Sequence, residues 1–359
     1  MPVPMPTASC IWNSFRASGK RHLLLTGGRG SGKTTLLGSL CPELLPGVTT
    51  WADPGKAVYL REENTGRETV IGRFDPTLPG VENKMQPVLP GLQTLGVDAL
   101  RRCVQHPSPW VRVDEIGYLE LACPEYCQAL RQLFEEKQVM AAVRKQDVPF
   151  LNELLHRQDV FVVDLDNPYG SAGCVMMASG LGRRFGGSKL MVPFLGKPLL
   201  YWALSATEGL FSRRVVVTRN LEAASFCAAL GVETVVHDYP GRNDTVRLGL
   251  EAVGNVERCL FLPADQPLLS RQTVESLLLC GQNSRGRIWR PCFQGTPGAP
   301  ILFSRDYFDE LKHLPQGKGG GVVAASHGES VRTLPVTDKR ELWDIDTPEN
   351  LTELEQTMK

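Results

Sequence analysis

Residues 174–199, CVMMASGLGRRFGGSKLMVPFLGKPL, decide the fold of the chain's second half. The run Cys174-Val175-Met176-Met177-Ala178 is short and apolar, as expected of one strand buried inside a parallel sheet. Small residues follow at once, from Ser179 through Gly180, Leu181 and Gly182 to Gly186 and Gly187. A strand that ends in glycines frees successive backbone N–H groups to converge, and such a nest binds phosphate oxygens. Arg183, Arg184 and Lys189 add positive charge beside it. The pattern predicts a cradle for a triphosphate. The spacing of Gly180, Gly182 and Gly186 also fits a loose dinucleotide fingerprint, which expects an acidic residue about 20 positions on. Here the next clear strand, Arg214–Thr218, is about twice as far away and ends in Arg219-Asn220, so the triphosphate reading is preferred.

A second nucleotide signature lies upstream. Arg21–Thr26 reads as a strand, Gly27-Gly28-Arg29-Gly30-Ser31-Gly32-Lys33-Thr34 follows directly, and Thr35–Leu40 starts a helix. This is the G-x-x-x-x-G-K-[ST] loop in its expected strand–loop–helix context. Gly27, Gly30, Gly32 and Thr35 place amides around phosphates, Lys33 reaches the outer phosphates, and the Thr34 hydroxyl is a magnesium ligand. Trp110–Gly117 supplies the acids such a loop needs: Asp114 for the metal and Glu115 to orient or activate water, unless the pair is a solvated cap. Arg144, just past the strand Gln138–Val143, is the nearest candidate for a cation at the transition state. Asp159–Leu165 reads as a strand and Val148–Arg157 as a helix, whereas the charged segment Thr49–Asp75 reads as a solvated hairpin or a partner-facing lid.

The 359 residues suggest two domains, divided in the turn-rich stretch Asp166–Gly173 into 1–169 and 170–359. Lys plus Arg and Asp plus Glu both number 39, and this balance argues against nucleic acid or an anionic membrane as partner. No apolar run approaches the ~20 residues of a membrane span, and no export signal opens the chain, so a cytoplasmic location is expected. The ten cysteines lack paired spacing; Cys123 and Cys127 read as free thiols. After Cys174 the pattern alternates strand and helix, with strands at Arg214–Thr218, Glu233–His237, Arg258–Pro263, Ile288–Pro291, Pro300–Phe303 and Val331–Leu334. Such alternation predicts an α/β, doubly wound sheet with ligands at the carboxyl ends of strands. Asp265, just past one of those strands, is a metal candidate, and Thr245 is either a nucleotide contact or a helix N-cap.

Residues 173–356 resemble the nucleotidyltransferases that attach a nucleotide to the molybdenum cofactor. Ala178-Ser179-Gly180, Arg184-Phe185-Gly186 and Lys189 match their opening signature, with Phe185 where Met is usual. Asp265-Gln266-Pro267 fits the family's metal-holding Asp-x-Pro, and Gly241–Leu250 its segment near the nucleotide. Trp343–Leu351 resembles its closing motif and makes Asp344 or Asp346 a second metal contact. The resemblance implies a Rossmann-like nucleotidyltransferase domain. In it Ala178, Gly180, Gly182 and Thr245 bind nucleotide, Arg184 and Lys189 serve catalysis, and Asp265 and Asp344 bind Mg2+. Ala-Ala-Gly at the loop start tends to accompany CTP, and Ala178-Ser179-Gly180 is nearer to that than to the Gly-Gly of GTP users. Two departures, Gly298-Ala299-Pro300 for Gly-His-Pro and Gly317 in place of an acid, bear on acceptor binding. Residues 20–168 look like a family of small P-loop nucleoside-triphosphatases that hydrolyse ATP or GTP with magnesium. The combined expectation is a protein that hydrolyses NTP and transfers CMP from CTP to molybdopterin or molybdenum cofactor, with a molybdenum hydroxylase downstream. The alternatives are a GTP- or sugar-phosphate-using transferase, and a cofactor-delivery factor whose second half only binds.

Overall fold

A computed structural model describes residues 3–41, 45–55, 57–78 and 84–358, and the Arg183 side chain lies outside the described residues. The chain forms two compact units, Gly19–Pro168 and Tyr169–Lys359, the latter joined by Met1–Ser18.

In the unit Gly19–Pro168, eight strands make one sheet: β1 (His22–Gly27), β2 (Gly47–Ala52), β3 (Ala57–Glu62), β4 (Glu68–Phe74), β5 (Met85–Pro87), β6 (Trp110–Ile116), β7 (Gln138–Arg144) and β8 (Val160–Asp164). Their spatial order is β5-β4-β3-β2-β6-β7-β1-β8. Strands β2, β6, β7, β1 and β8 run parallel, and β3, β4 and β5 extend the sheet by antiparallel pairing. Every residue of β1 is buried, the leucines Leu23–Leu25 and the polar His22 and Thr26 alike, because an interior parallel strand is covered on both faces. Helices Pro124–Glu136 and Pro149–Leu155 begin with proline, whose missing N–H costs nothing in the first turn. The solvated hairpin expected over Thr49–Asp75 is instead β2, β3 and β4 of the main sheet, with Leu60 and Ile71 fully buried. Its charges misled because Glu62 is internal, paired with Arg102 at 2.6 and 2.9 Å.

The other unit is built on β9 (Ala172–Ala178). A two-residue hairpin follows, β10 (Pro193–Phe194) with β11 (Lys197–Pro198), and then β12 (Arg213–Thr218), β13 (Glu233–Val236), β14 (Arg258–Pro263), β15 (Ile288–Phe293), β16 (Thr296–Pro297), β17 (Ile301–Ser304) and β18 (Val331–Pro335). The sheet order is β13-β12-β9-β14-β17-β15-β16, with β18 beside β15. Strands β13, β12, β9 and β14 are parallel, as the strand–helix alternation predicts. From β17 on the sheet becomes mixed, because β17 pairs antiparallel with both β14 and β15. Together the two units form an α/β architecture, a P-loop NTPase fold and a Rossmann-like nucleotidyltransferase fold.

The expected assignment of residues 1–18 to the first domain is corrected by packing. Helix Ala8–Ser18 buries Cys10, Ile11, Ser14 and Phe15 and lies on helix Arg271–Gln282, which is buried continuously from Thr273 to Gly281. Small polar groups stitch the two: Cys10 Sγ lies 3.2 Å from Ser276 Oγ, and Ser14 Oγ donates to the Ser276 carbonyl at 3.3 Å. A helix that close to the second sheet belongs to its core, whatever its place in the sequence.

Candidate functional site

Two clefts meet the residues singled out from sequence, one in each unit. In the unit Gly19–Pro168, a cleft of about 420 Å³ is lined by Gly27–Thr35, Glu115, Arg144, Lys145 and Gln146. Strand β7 lies between β1 and β6, so a parallel sheet sets the phosphate loop and the acid pair at the same, carboxyl, edge. The loop bends where glycine permits: Gly30 and Gly32 have φ of 77° and 89°. Lys33 is buried, and its Nζ donates to the carbonyls of Gly27 and Gly28, both at 2.9 Å. Thr34 Oγ1 donates to Asp114 Oδ1 at 3.1 Å, and Arg112 Nη2 to Asp114 Oδ2 at 2.8 Å. Asp114 is 1% exposed, and these two partners satisfy both of its oxygens inside the fold. The Thr34 proton is thus committed to Asp114, which leaves the hydroxyl's lone pairs for a cation.

Glu115 is not a solvated cap. Its Oε1 accepts from Arg144 Nε at 2.8 Å, and both side chains face the cleft. Behind it Glu120, fully buried, accepts the Gly117 N–H at 2.9 Å; burial pushes its pKa up to about 7. Sequence reading passed over Asp166. Its carboxylate accepts the Gly28 N–H at 3.1 and 3.0 Å and pairs with Lys145 Nζ at 3.0 Å, pinning the base of the loop. Gly28 first, then Lys145, hold Asp166 below the usual carboxylate range. Its place just past β8, a strand end in a parallel sheet, was the available signal; the turn residues around it drew attention to the linker instead.

In the other unit, a cleft of about 760 Å³ is lined by Met177–Gly182, Arg184, Lys189, Arg219, Pro240–Arg242, Thr245, Asp265, Gly319–Gly321, Asp344 and Asp346, among others. Gly182 has φ 57°, and a Cβ there would fall 2.1 Å from the Gly187 carbonyl oxygen, so the turn closes only on glycine. Lys189 and Asp265 meet in this cleft: Nζ to Oδ2 is 2.6 Å, with Asp346 Oδ1 a further 3.3 Å from the same Nζ. Asp265 does not cap the next helix; Ser270 does, accepting from Thr273 N at 3.1 Å. Asp344 has its pKa raised to about 6, by burial first and then by Asp265. Two carboxylates share one lysine and Asp344 lines the same cleft, an arrangement that favours a further cation.

Thr245 lies within helix Arg242–Val253 with Gly241 in the cap position, so the N-cap alternative falls and Thr245 is a buried wall of the cleft. Thr347 caps helix Pro348–Thr357, accepting from Asn350 N at 3.3 Å. Ser179 Oγ donates to the Val217 carbonyl at 3.1 Å and lies 2.8 Å from His237 Nε2. The altered Gly317 is held by its N–H on Asn243 Oδ1 at 2.9 Å, tying the Gly317–Gly321 loop to the opposite wall. Among the described residues no group of three or more His, Cys, Asp or Glu is arranged to hold a metal by itself. None of their helices is long and apolar enough to cross a membrane.

Comparison with known proteins finds one family match in each unit. The MobA-like NTP transferase domain matches residues 174–331, and the NTPase family matches residues 53–168. The nucleoside-triphosphatase THEP1 of Thermotoga sp. (strain RQ2) is 31% identical over 150 residues, 40% of this chain and 86% of that protein. The molybdenum cofactor guanylyltransferase of Ectopseudomonas mendocina (strain ymp) is 31% identical over 184 residues, 49% of this chain and 88% of its own length. The crystal structure of Rv0371c from Mycobacterium tuberculosis H37Rv aligns over 52% of this chain and 98% of its own at 25% identity, with a TM-score of 0.47.

Proposed function

We propose, from the premise that the chain belongs to the THEP1-type nucleoside-triphosphatases in its first half and to the MobA-like NTP transferases in its second, that it hydrolyses NTP at one cleft and transfers CMP from CTP to molybdopterin or molybdenum cofactor at the other. The observation that carries the transferase half is the meeting of Lys189, Asp265, Asp344 and Asp346 beside the Gly180–Gly182 turn.

A substrate phosphate monoester is largely dianionic at neutral pH, with its second pKa near ~6, so attack on the α-phosphorus needs no general base. The protein's task is then alignment and charge compensation. Ala178, Gly180, Gly182 and Thr245 border the nucleotide, Arg184 meets its outer phosphates, and Lys189 compensates charge as the bond to pyrophosphate breaks. Asp265 and Asp344 would hold Mg2+. Mg2+ commonly takes one or two carboxylates plus substrate phosphates, which suits a site with few protein ligands. Bound there, the ion would neutralise phosphate charge. In the first half, amides from Gly27 to Thr35 and Lys33 hold the β- and γ-phosphates, and Thr34, backed by Asp114, would hold Mg2+. Glu115 orients the attacking water.

Ala178-Ser179-Gly180 favours CTP, whereas the resemblance to a molybdenum cofactor guanylyltransferase favours GTP. A second reading, a cofactor-delivery factor serving a molybdenum hydroxylase, draws on Ala299 and Gly317, the two departures near the acceptor side. One assay divides these readings: incubate the protein with magnesium, molybdenum cofactor and each NTP in turn, then measure pyrophosphate, phosphate and the nucleotide-linked product. Pyrophosphate with CTP supports the cytidylyltransferase and with GTP the guanylyl alternative. Phosphate alone, from ATP or GTP, supports the delivery factor.

A further inference from the structure

We propose that Arg144 is the cation that stabilises the transferring γ-phosphoryl group, and that the protein stores it on Glu115 until nucleotide arrives. The proposal rests on the hydrolytic reading of the first cleft and adds a catalytic residue to it. Arg144 ends β7, where its backbone is in register with Gly27, the first residue of the phosphate loop. It therefore sits between the loop and β6, which carries Glu115.

The side chain reaches Glu115 along a defined path. Its guanidinium lies 5.7 Å from the Tyr118 ring centroid, and its stem lies against Gly117, where a Cβ would come 3.0 Å from Arg144 Cδ. A larger residue at 117 would crowd that stem, which gives the glycine of Asp-Glu-Ile-Gly a physical reason. Of the arginine's donors only Nε is hydrogen-bonded among the described residues, at 2.8 Å to Glu115, and the side chain is 38% exposed in the cleft. Its neighbour Lys145 is held by two carboxylates, Asp164 at 2.8 Å and Asp166 at 3.0 Å, and Lys33 by two loop carbonyls. Arg144 is the cation of these three with donors to spare.

A terminal phosphate carries more negative charge than one carboxylate and presents three acceptor oxygens to a guanidinium fork. Transfer of Arg144 from Glu115 to the γ-phosphate does two things at once. It puts positive charge where the transition state spreads negative charge, and it frees Glu115 to orient water. The water oxygen then bonds to the γ-phosphorus, and the bond from that phosphorus to the β–γ bridging oxygen breaks. Its electron pair stays on the diphosphate, and the water's proton leaves through Glu115 or the product phosphate. Arg144 donates hydrogen bonds throughout and loses no proton.

The test uses the full chain with magnesium and either ATP or GTP, following phosphate release at saturating nucleotide and nucleotide affinity by fluorescence. Arg144→Ala should lower kcat by ~10³-fold, as loss of an arginine finger does, with affinity changed less than about threefold. Arg144→Lys should recover part of the rate, and Arg144→Gln guards against a folding artefact. Glu115→Gln should also lower kcat while tightening nucleotide binding, because it releases the arginine. If Arg144→Ala turns over at the native rate or faster while Lys33→Met is inactive, Arg144 merely restrains Glu115 and the proposal is overturned. Unchanged phosphate release by Lys33→Met would instead overturn the hydrolytic reading of the cleft, and the proposal with it.

Discussion

Replacing Lys189 with methionine keeps most of the side chain's length and removes its charge. In the resting protein its ammonium is 2.6 Å from Asp265 and 3.3 Å from Asp346, with the lysine side chain only 12% exposed. Two unit charges about 4 Å apart attract by about 4 kcal/mol at an effective dielectric of 20, so Lys189 is what lets the carboxylates gather. Asp265 and Asp346 are themselves 21% and 56% exposed, and solvent discounts that figure in the ground state. In the proposed transfer the same ammonium faces the charge that builds on the departing pyrophosphate. Loss of one such donor costs about 2.7–4 kcal/mol, or 10²–10³ in kcat. Divalent metal binding should move the other way, holding or tightening, because Asp265 and Asp346 are left without their cation. The assay is pyrophosphate release at saturating CTP or GTP with molybdenum cofactor, paired with a titration of Mn2+. A purely structural lysine would instead lower the melting temperature and weaken both substrate and metal. Pyrophosphate release at the native rate by the Lys189→Met protein would refute the role assigned to this residue.

Gly182→Ala should abolish pyrophosphate release while leaving phosphate release intact, since its Cβ would lie 2.1 Å from the Gly187 oxygen; parallel assays of both products check this. Thr34→Val should raise the Mg2+ concentration needed for phosphate release by ~10-fold or more, because the hydroxyl beside Asp114 is lost, and a Mg2+ titration reads it. His22 is fully buried, and burial lowers its pKa from 6.5 to about 4 although Asp159 opposes the shift. The unfolded chain therefore takes up the proton first. This group's stability, about 3 kcal/mol, is present above pH 6.5 and lost as pH falls toward 4. Urea midpoints from pH 7 to pH 4.5 should show the loss, with a flatter profile for His22→Asn. Arg102→Met leaves Glu62, 2% exposed, without its cation and should cost about 3 kcal/mol by denaturant unfolding.

Local chemistry was legible wherever a short stretch does the work by its own backbone. The run Gly27–Thr34 and the turn Ser179–Gly187 stand out because a nest is made of consecutive amides, and consecutive residues stay together however the chain folds. Strand ends such as Asp114 and Asp265 were legible for a related reason: in a parallel sheet the carboxyl edge gathers ligands by rule. The segment Thr49–Asp75 was misjudged, since a charged stretch looks solvated until a partner neutralises it, as Arg102 does Glu62 from 40 residues away. What the first 18 residues cover, and that Asp166 reaches back to Gly28, likewise depended on packing between distant segments.

From sequence alone came the two glycine-rich turns, the parallel strands that carry them, and the residue types that line each cleft, because these follow from covalent neighbours and hydrophobic period. Only the folded chain decided which charges meet. Lys189 joins Asp265 and Asp346 across 76 and 157 residues, and Arg144 rests on Glu115 across 29. Ion pairs depend on distance through space, and sequence separation carries no record of that until the sheets have been assembled.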